Sequence, residues 1–284
     1  MLGNCLSDKV LLPNGHEIPC IGYGTYKLPD DETAENCVKA AIEIGYRHID
    51  AAAYYFNEKS VGRGIKNSGV QREDLFITSK VWTNNRGYDK TMASFDQSMK
   101  DLGLDYLDLF LIHWPADAHE HDDWVEINLD TWKALTELYK AGRVKAIGVS
   151  NFWPEHLEAL METEIRPMVD QIEFHPGYRQ PRVFDYCRKN GILLEAWSPL
   201  GRAKVLGHET VVRLAEKYGR SPAQICLRWV MQKDVIPLVK SLNRPRILEN
   251  AEIFDFTIED EDIGLIDRME EAGFSGHTPT NVDF

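Results

Sequence analysis

Only five cysteines occur in this chain of 284 residues, at positions 5, 20, 37, 187 and 226, and no two form a Cys-x-x-Cys pair. An odd count without that spacing argues against a disulfide framework or a zinc ribbon and suits a reducing cytoplasm. No stretch approaches the roughly 20 consecutive apolar residues of a membrane-crossing helix. Met1 to Asn14 lack a basic segment followed by a long apolar run, so neither secretion nor membrane insertion is expected. Positive charge is scarce as well. The 32 lysines and arginines against 45 aspartates and glutamates leave a formal charge of −13, which repels phosphate backbones and anionic lipid. Nucleic acid and membrane surfaces are therefore poor partners. Gly22-Tyr-Gly24 and Gly62-Arg-Gly64 each begin a G-x-G, but neither has the third glycine of a dinucleotide fingerprint, and no Walker spacing occurs. These absences argue against a Rossmann-type NAD site and a P-loop. Low-complexity linkers are also lacking, so no domain boundary shows.

What is present is an ordinary globular mixture, 43% hydrophobic and 27% charged, enough to build a large core. Val10 to Ile18 reads as two extended arms around Asn14-Gly15, a strong hairpin signal. From there the chain alternates. Short runs that look buried on both faces, such as Leu75 to Thr78, Leu107 to Ile112, Ala146 to Val149 and Ile192 to Leu194, are separated by stretches with helical spacing. Helices are expected at 32–44, 57–67, 89–101, 128–140, 154–162, 182–189, 208–218, 222–232, 244–252 and 259–271. Asp30 or Asp31 can cap the first, Gly45 can end it, and Ser221-Pro222 places a capping hydroxyl before a first-turn proline. Strands fall near Ile21, Arg47, Leu75, Leu107, Lys145, Val169, Ile192 and Val235. Eight βα units within this length suggest one (β/α)8 TIM barrel spanning 1–284, with an N-terminal β-hairpin, a doubled helix before the last strand and a final helix and tail as additions. An open doubly wound sheet is the alternative, because periodicity does not show closure.

Polar residues gather just past the carboxyl ends of these strands: Asp50, Lys80 and His113. A closed barrel brings such positions together on one face. Any one of them alone is more often a cap, a solvated charge or a hydrogen-bonded core group; their joint placement is the signal. Tyr55 adds a phenol beside the same strand end as Asp50. A phenol with an ordinary pKa near 10 can give up a proton near neutrality if an ammonium such as that of Lys80 supports the phenolate. Asp50 would keep Lys80 charged and oriented, and His113 would hydrogen-bond a substrate oxygen that gains negative charge.

Four segments, Gly45 to Glu58, Leu109 to Pro115, Gly148 to Phe152 and Lys240 to Asn250, resemble signatures of the aldo-keto reductases, in register from about Val10 to Phe284. The closer likeness is to bacterial-type monomeric reductases such as 2,5-diketogluconate reductase. The resemblance implies a barrel that binds NADPH and reduces small carbonyl compounds through an Asp, Tyr, Lys, His tetrad, here Asp50, Tyr55, Lys80 and His113. It also implies that Ser150, Asn151 and Gln171 hold the nicotinamide carboxamide, with Asp50, Gly24 and Thr25 near the ribose and Trp197 stacked on the ring. Ser198, Leu200 and Arg202 would cross the pyrophosphate. Lys240, Ser241, Arg246, Glu249 and Asn250 would hold the 2′-phosphate and adenine, a guanidinium gripping phosphate through two donors.

Three departures from the family pattern stand out. Ala51 replaces the usual Thr or Ser after the aspartate. Ile236-Pro-Leu-Val-Lys240 separates proline from lysine, where many relatives have Ile-Pro-Lys. Residues 116–127 and 273–284 are short beside the loops of steroid-metabolising members, so a shallow pocket lined by Tyr26, Tyr54, Trp82, His113 and Trp114 is expected. Two other functions compete: a cofactor-binding regulatory barrel like the channel-associated β subunits, and an unrelated barrel aldolase or isomerase using Lys80 as a Schiff-base amine, against which Asp50 argues by keeping that lysine protonated. His119-Glu-His121-Asp-Asp imitates a metal site but lacks the His-Glu-x-x-His spacing and reads as solvated surface, so no metal is expected.

Overall fold

Eight short parallel strands, nearly all buried along their length, pair in sequence order and close on one another in the computed structural model, which describes residues 2–282. They are β3 (Gly22–Gly24), β4 (His48–Asp50), β5 (Phe76–Val81), β6 (Leu107–Ile112), β7 (Val144–Ser150), β8 (Val169–Glu173), β9 (Leu193–Trp197) and β10 (Ile236–Val239), and β10 bonds to both β9 and β3. That last pairing makes the sheet a barrel and excludes the open alternative. Ahead of it, β1 (Lys9–Leu11) and β2 (Glu17–Pro19) form the antiparallel hairpin. Its turn has three residues between Leu12 and His16, with Gly15 at φ 83° supplying the left-handed position that Asn14-Gly15 announced.

Among the described residues ten helices cover the barrel: α1 (Glu32–Ile44), α2 (Glu58–Asn67), α3 (Tyr88–Leu102), α4 (Trp124–Lys140), α5 (Pro154–Met161), α6 (Pro181–Asn190), α7 (Glu209–Tyr218), α8 (Pro222–Gln232), α9 (Arg244–Ala251) and α10 (Asp260–Asp267). Their ends follow local chemistry. Asp31 accepts from the Thr33 amide at the start of α1, Gly45 closes that helix at φ 125°, and Ser221 with Gln224 makes a reciprocal capping box on α8. Two boundaries differ from expectation. Helix α4 starts a turn early, where Trp124 packs edge-on against His156. Helix α10 stops at Asp267, before the expected 271, because the chain leaves it to dock on the loop after β8, where the Ala272 amide donates to the Gly177 carbonyl.

Alternation along the strands decides what lies inside the barrel. Asp108, Phe110 and Ile112 of β6 point toward the helices, Phe110 meeting Phe95 of α3. Inward positions carry an unusual share of polar groups: His48, Asp50, Thr78, Lys80, Gln171 and Glu195 are all buried. Buried polar groups need partners, so a barrel interior built this way must be a connected network.

Candidate active site

The polar interior opens at the carboxyl ends of the strands. Asp50 ends β4 and Lys80 lies on β5, and the Lys80 Nζ is 2.6 and 2.5 Å from the two carboxylate oxygens of Asp50. The same ammonium donates to the Ala51 carbonyl at 2.9 Å and to the Tyr55 hydroxyl at 3.2 Å. Ala51 thus serves the site through its backbone carbonyl. Tyr55 sits in a single helical turn, Ala53–Tyr55, that follows β4 directly. Buried Asn57 anchors this turn by donating to the carbonyls of Thr25 and Leu28, both at 2.9 Å. His113 follows β6, with its ring 5.6 Å from that of Tyr55.

Two protonation states follow. Burial, reinforced by the Asp50 charge and Tyr26, pushes Tyr55 well above the ordinary phenol range, so it is a neutral phenol. Burial and the Lys80 charge push His113 well below its ordinary value, so it is a neutral imidazole. The expected lowering of the tyrosine by Lys80 is therefore not the resting condition. Lys80 is spent mainly on Asp50, and its support for Tyr55 would matter once a phenolate forms.

A cavity of about 750 Å³ runs past this centre. Its inner end has Tyr26, Tyr54, Tyr55, Trp82, His113 and Trp114 as walls, with Tyr54 stacked on Trp82 at 3.7 Å and Trp82 edge-on to His113 at 4.9 Å. Lys80 is fully buried and does not line the cavity. An amine that carries two carboxylate contacts and does not face the cavity is no Schiff-base nucleophile.

Next along the cavity come Asn151, Gln171 and Trp197. The Trp197 indole donates to Asn151 Oδ1 at 2.7 Å, while Asn151 Nδ2 donates to the His113 carbonyl and Ser150 Oγ, both at 3.0 Å. Asn151 itself is left-handed at φ 63°. Its amide is mostly committed within the protein, which fixes the indole. Trp197 is a half-buried cavity wall. Ser150 is the one expected contact residue that does not line the cavity. Its hydroxyl donates to the Gln171 carbonyl at 2.7 Å, so it stands behind Asn151 as support.

Ser198, Leu200, Arg202, Lys240, Ser241, Arg246, Glu249 and Asn250 also line the cavity, as do Gly24 and Thr25, the latter bonded through its amide and hydroxyl to the Asp50 carbonyl at 3.0 and 2.9 Å. Lys27 and the start of α8 at Ser221 join them, neither anticipated. Neither Lys240 nor Arg246 is ion-paired with a described residue, and burial, with Lys27 as a like charge nearby, pushes Lys240 downward. In a protein of charge −13, Lys27, Arg202, Lys240 and Arg246 around one cavity is a donor set that fits a phosphorylated ligand. The extra residues before Lys240 are part of β10 and do not divert it from the cavity.

The tail was expected to add little to the site. Instead, the Ser275 amide and hydroxyl donate to the buried carboxylate of Glu173 at 3.0 and 2.6 Å, His277 lines the cavity, and Val282 is buried against Trp82 and Trp114. A carboxylate taking two donors is a firm anchor, and nothing local in residues 273–284 announces it. Asp283 and Phe284, the end of that segment, lie outside the described residues. The 116–127 loop is held too: Asp117 bonds both His119 and His156, at 2.6 and 2.8 Å, and His119 is otherwise exposed.

Comparison with known proteins gives one consistent answer. The model of the aldo/keto reductase family matches residues 20–271. The glyoxal reductase of Bacillus subtilis is 49% identical over 281 residues, 98% of this chain and 99% of that protein. The crystal structure of MGS-M4, an aldo-keto reductase from a deep-sea metagenome library of the Medee basin, superposes with a TM-score of 0.91 at 42% identity, covering 97% and 100% of the two chains. That of an aldo-keto reductase of Bombyx mori in complex with NADP does so with a TM-score of 0.86 at 33% identity, covering 96% and 95%.

Proposed function

The chain belongs to the aldo/keto reductase family and is an NADP(H)-dependent oxidoreductase, and we propose that it reduces small aldehydes, ketoaldehydes or keto sugars to alcohols with Tyr55 as the proton donor. We also take the whole chain as one catalytic unit, acting as a monomer in the cytoplasm, a compartment that suits its five free thiols.

One observation carries the reading: Tyr55 faces the cavity while its hydroxyl is bonded from behind to Lys80, which Asp50 holds. When bound, NADPH supplies the hydride. Lys240, Arg246 and Asn250 would hold its phosphate and adenine end, and Asn151, Gln171 and Trp197 its nicotinamide end. A carbonyl oxygen placed between Tyr55 and His113 would gain negative charge as its carbon is reduced. The neutral imidazole of His113 would donate a hydrogen bond to that oxygen, and Tyr55 would give it a proton. The phenolate left behind would then be stabilised by the Lys80 ammonium, 3.2 Å from that oxygen. Asp50 is the counter-charge that keeps Lys80 cationic in a dry interior.

Small polar substrates are favoured by the tail. With Val282 packed on Trp82 and Trp114, the tail occupies part of the aromatic surface against which a steroid would otherwise be buried. Oxidation of NADPH in the presence of glyoxal, methylglyoxal, glyceraldehyde, a keto sugar acid or a 3-keto steroid tests the proposal. Turnover of the small carbonyls with the highest kcat/KM is expected. No oxidation with any carbonyl would reject the function, and a steroid preferred by about tenfold or more would reject the substrate class.

A further inference from the structure

Beneath the tetrad lies a buried acid to which the mechanism above gives no task. Glu195, on the inward face of β9, is fully buried. Its Oε2 accepts from Gln171 Nε2 at 3.0 Å, and the same nitrogen donates to Asp50 Oδ1 at 3.0 Å. The carboxylate of Asp50, paired with Lys80, can only accept, so the NH2 end of the amide must face it, and the orientation of Gln171 follows from chemistry. The other oxygen, Oε1, has no hydrogen-bond partner among the described residues. It lies 3.7 Å from His48 Nδ1, which has none either, while His48 Nε2 is bonded to Thr78 Oγ1 at 2.9 Å. Gly22 makes room for this arrangement, since a Cβ there would lie 2.8 Å from His48 Nδ1.

Charge balance decides the state of the acid. The groups facing Glu195 are His48 and Asp50 from β4, Lys80 from β5 and Gln171 from β8; β10 presents Ile236 at the paired register and contributes no titratable group. Lys80 is matched by Asp50, and burial with the Lys80 charge pushes His48 down to about 3, so no cation is left for a second carboxylate. An unpaired buried charge is costly, and Glu195 holds its proton instead. Burial and the Asp50 charge push it up to about 8.

We propose that Glu195 is a positioning residue whose neutral carboxylic acid fixes the Gln171 amide and, through it, the carboxylate of Asp50 on Lys80. Its ionisation would draw the Gln171 amide and the Lys80 ammonium toward a second carboxylate. Tyr55 would lose the support its phenolate needs, and proton delivery would slow. The role rests on the assignment of Tyr55, Lys80 and Asp50 above.

Two measurements on the full chain test it. Infrared difference spectra of wild type minus Glu195→Gln, taken from about pH 6 to about pH 10, cancel the acid band that Asp170 gives in both proteins and should leave a protonated-acid band of Glu195 that vanishes as pH rises through about 8. The pH profile of kcat for methylglyoxal with NADPH should fall over the same range in wild type, a limb that Tyr55, held well above 10, does not produce, and Glu195→Gln, whatever its level, should lack that limb. Glu195→Leu removes the acceptor and should lower kcat by at least about tenfold with a smaller change in KM, Glu195→Gln falling less. A difference spectrum without that band, a Glu195→Gln profile that superposes on wild type, or a fully active Glu195→Leu would each overturn the proposal. If wild type reduces no carbonyl, it is the tetrad reading that fails, and the infrared titration still reports whether Glu195 keeps its proton.

Discussion

The ammonium of Lys80 is shared unequally, 2.6 and 2.5 Å from the oxygens of Asp50 and 3.2 Å from the hydroxyl of Tyr55. At rest the pair is an internal salt bridge with a phenol attached, and the phenol is protonated. That order suits carbonyl reduction, which needs a proton given up only as the substrate oxygen becomes basic.

Tyr55→Phe keeps the ring and removes the proton. Reduction should fall by orders of magnitude, on the order of 10²-fold or more, while NADPH affinity, read by fluorescence titration, changes little. Retained turnover would move the acid elsewhere, His113 first.

Lys80→Met leaves the Asp50 carboxylate buried without its cation, and such a loss typically costs about 3–5 kcal/mol. Activity and stability should both drop. Lys80→Met combined with Asp50→Asn should recover much of the stability and none of the activity. Urea unfolding of the two variants measures it, and an equally unstable double variant would mean that packing, not charge, is what Lys80 contributes.

Arg246 is exposed, lines the cavity and is ion-paired with no described residue. Arg246→Ala should weaken NADPH far more than NADH, by about 1.5–3 kcal/mol for one lost charged contact, roughly 10- to 150-fold. Equal weakening of both cofactors would make it a wall of the adenine pocket.

Asp170, buried on the outward face of β8, is pushed up to about 8 by burial. Folded protein then holds a proton that the unfolded chain releases above its ordinary carboxyl value of 3.8. Stability from this group is full below that value and declines as pH rises to about 8, by about 1.4 kcal/mol per pH unit over the interval. Asp170→Asn should flatten the fall between about pH 5 and about pH 8 in urea midpoints. An unchanged slope would show the carboxyl ionised in the fold.

Removing residues 273–284 strips Ser275 from Glu173 and Val282 from Trp82 and Trp114. The truncated protein should raise KM for methylglyoxal and narrow its advantage over bulkier ketones, measured side by side with NADPH. Unaltered ratios would mean the tail lies over the site without shaping it.

Much of this protein could be read without coordinates wherever the determining interaction is local. Asn14-Gly15 announces its own turn, Asp31 and Ser221 cap the helices that follow them, and eight apolar runs alternate with helical spacing. Asp50, Lys80 and His113 were also legible, because a polar residue at the end of a buried strand contradicts its surroundings. Glu195 carries the same signal, a lone acid in Leu193 to Trp197, yet nothing nearby names its partners. They are Gln171 and, through it, Asp50, joined across 121 positions of chain. Ser275 and Glu173 lie 102 apart. Pattern reports which face of a strand is buried. Closure of the barrel and the register of its strands set which inward groups meet, and therefore which charges are balanced and which acid must keep its proton.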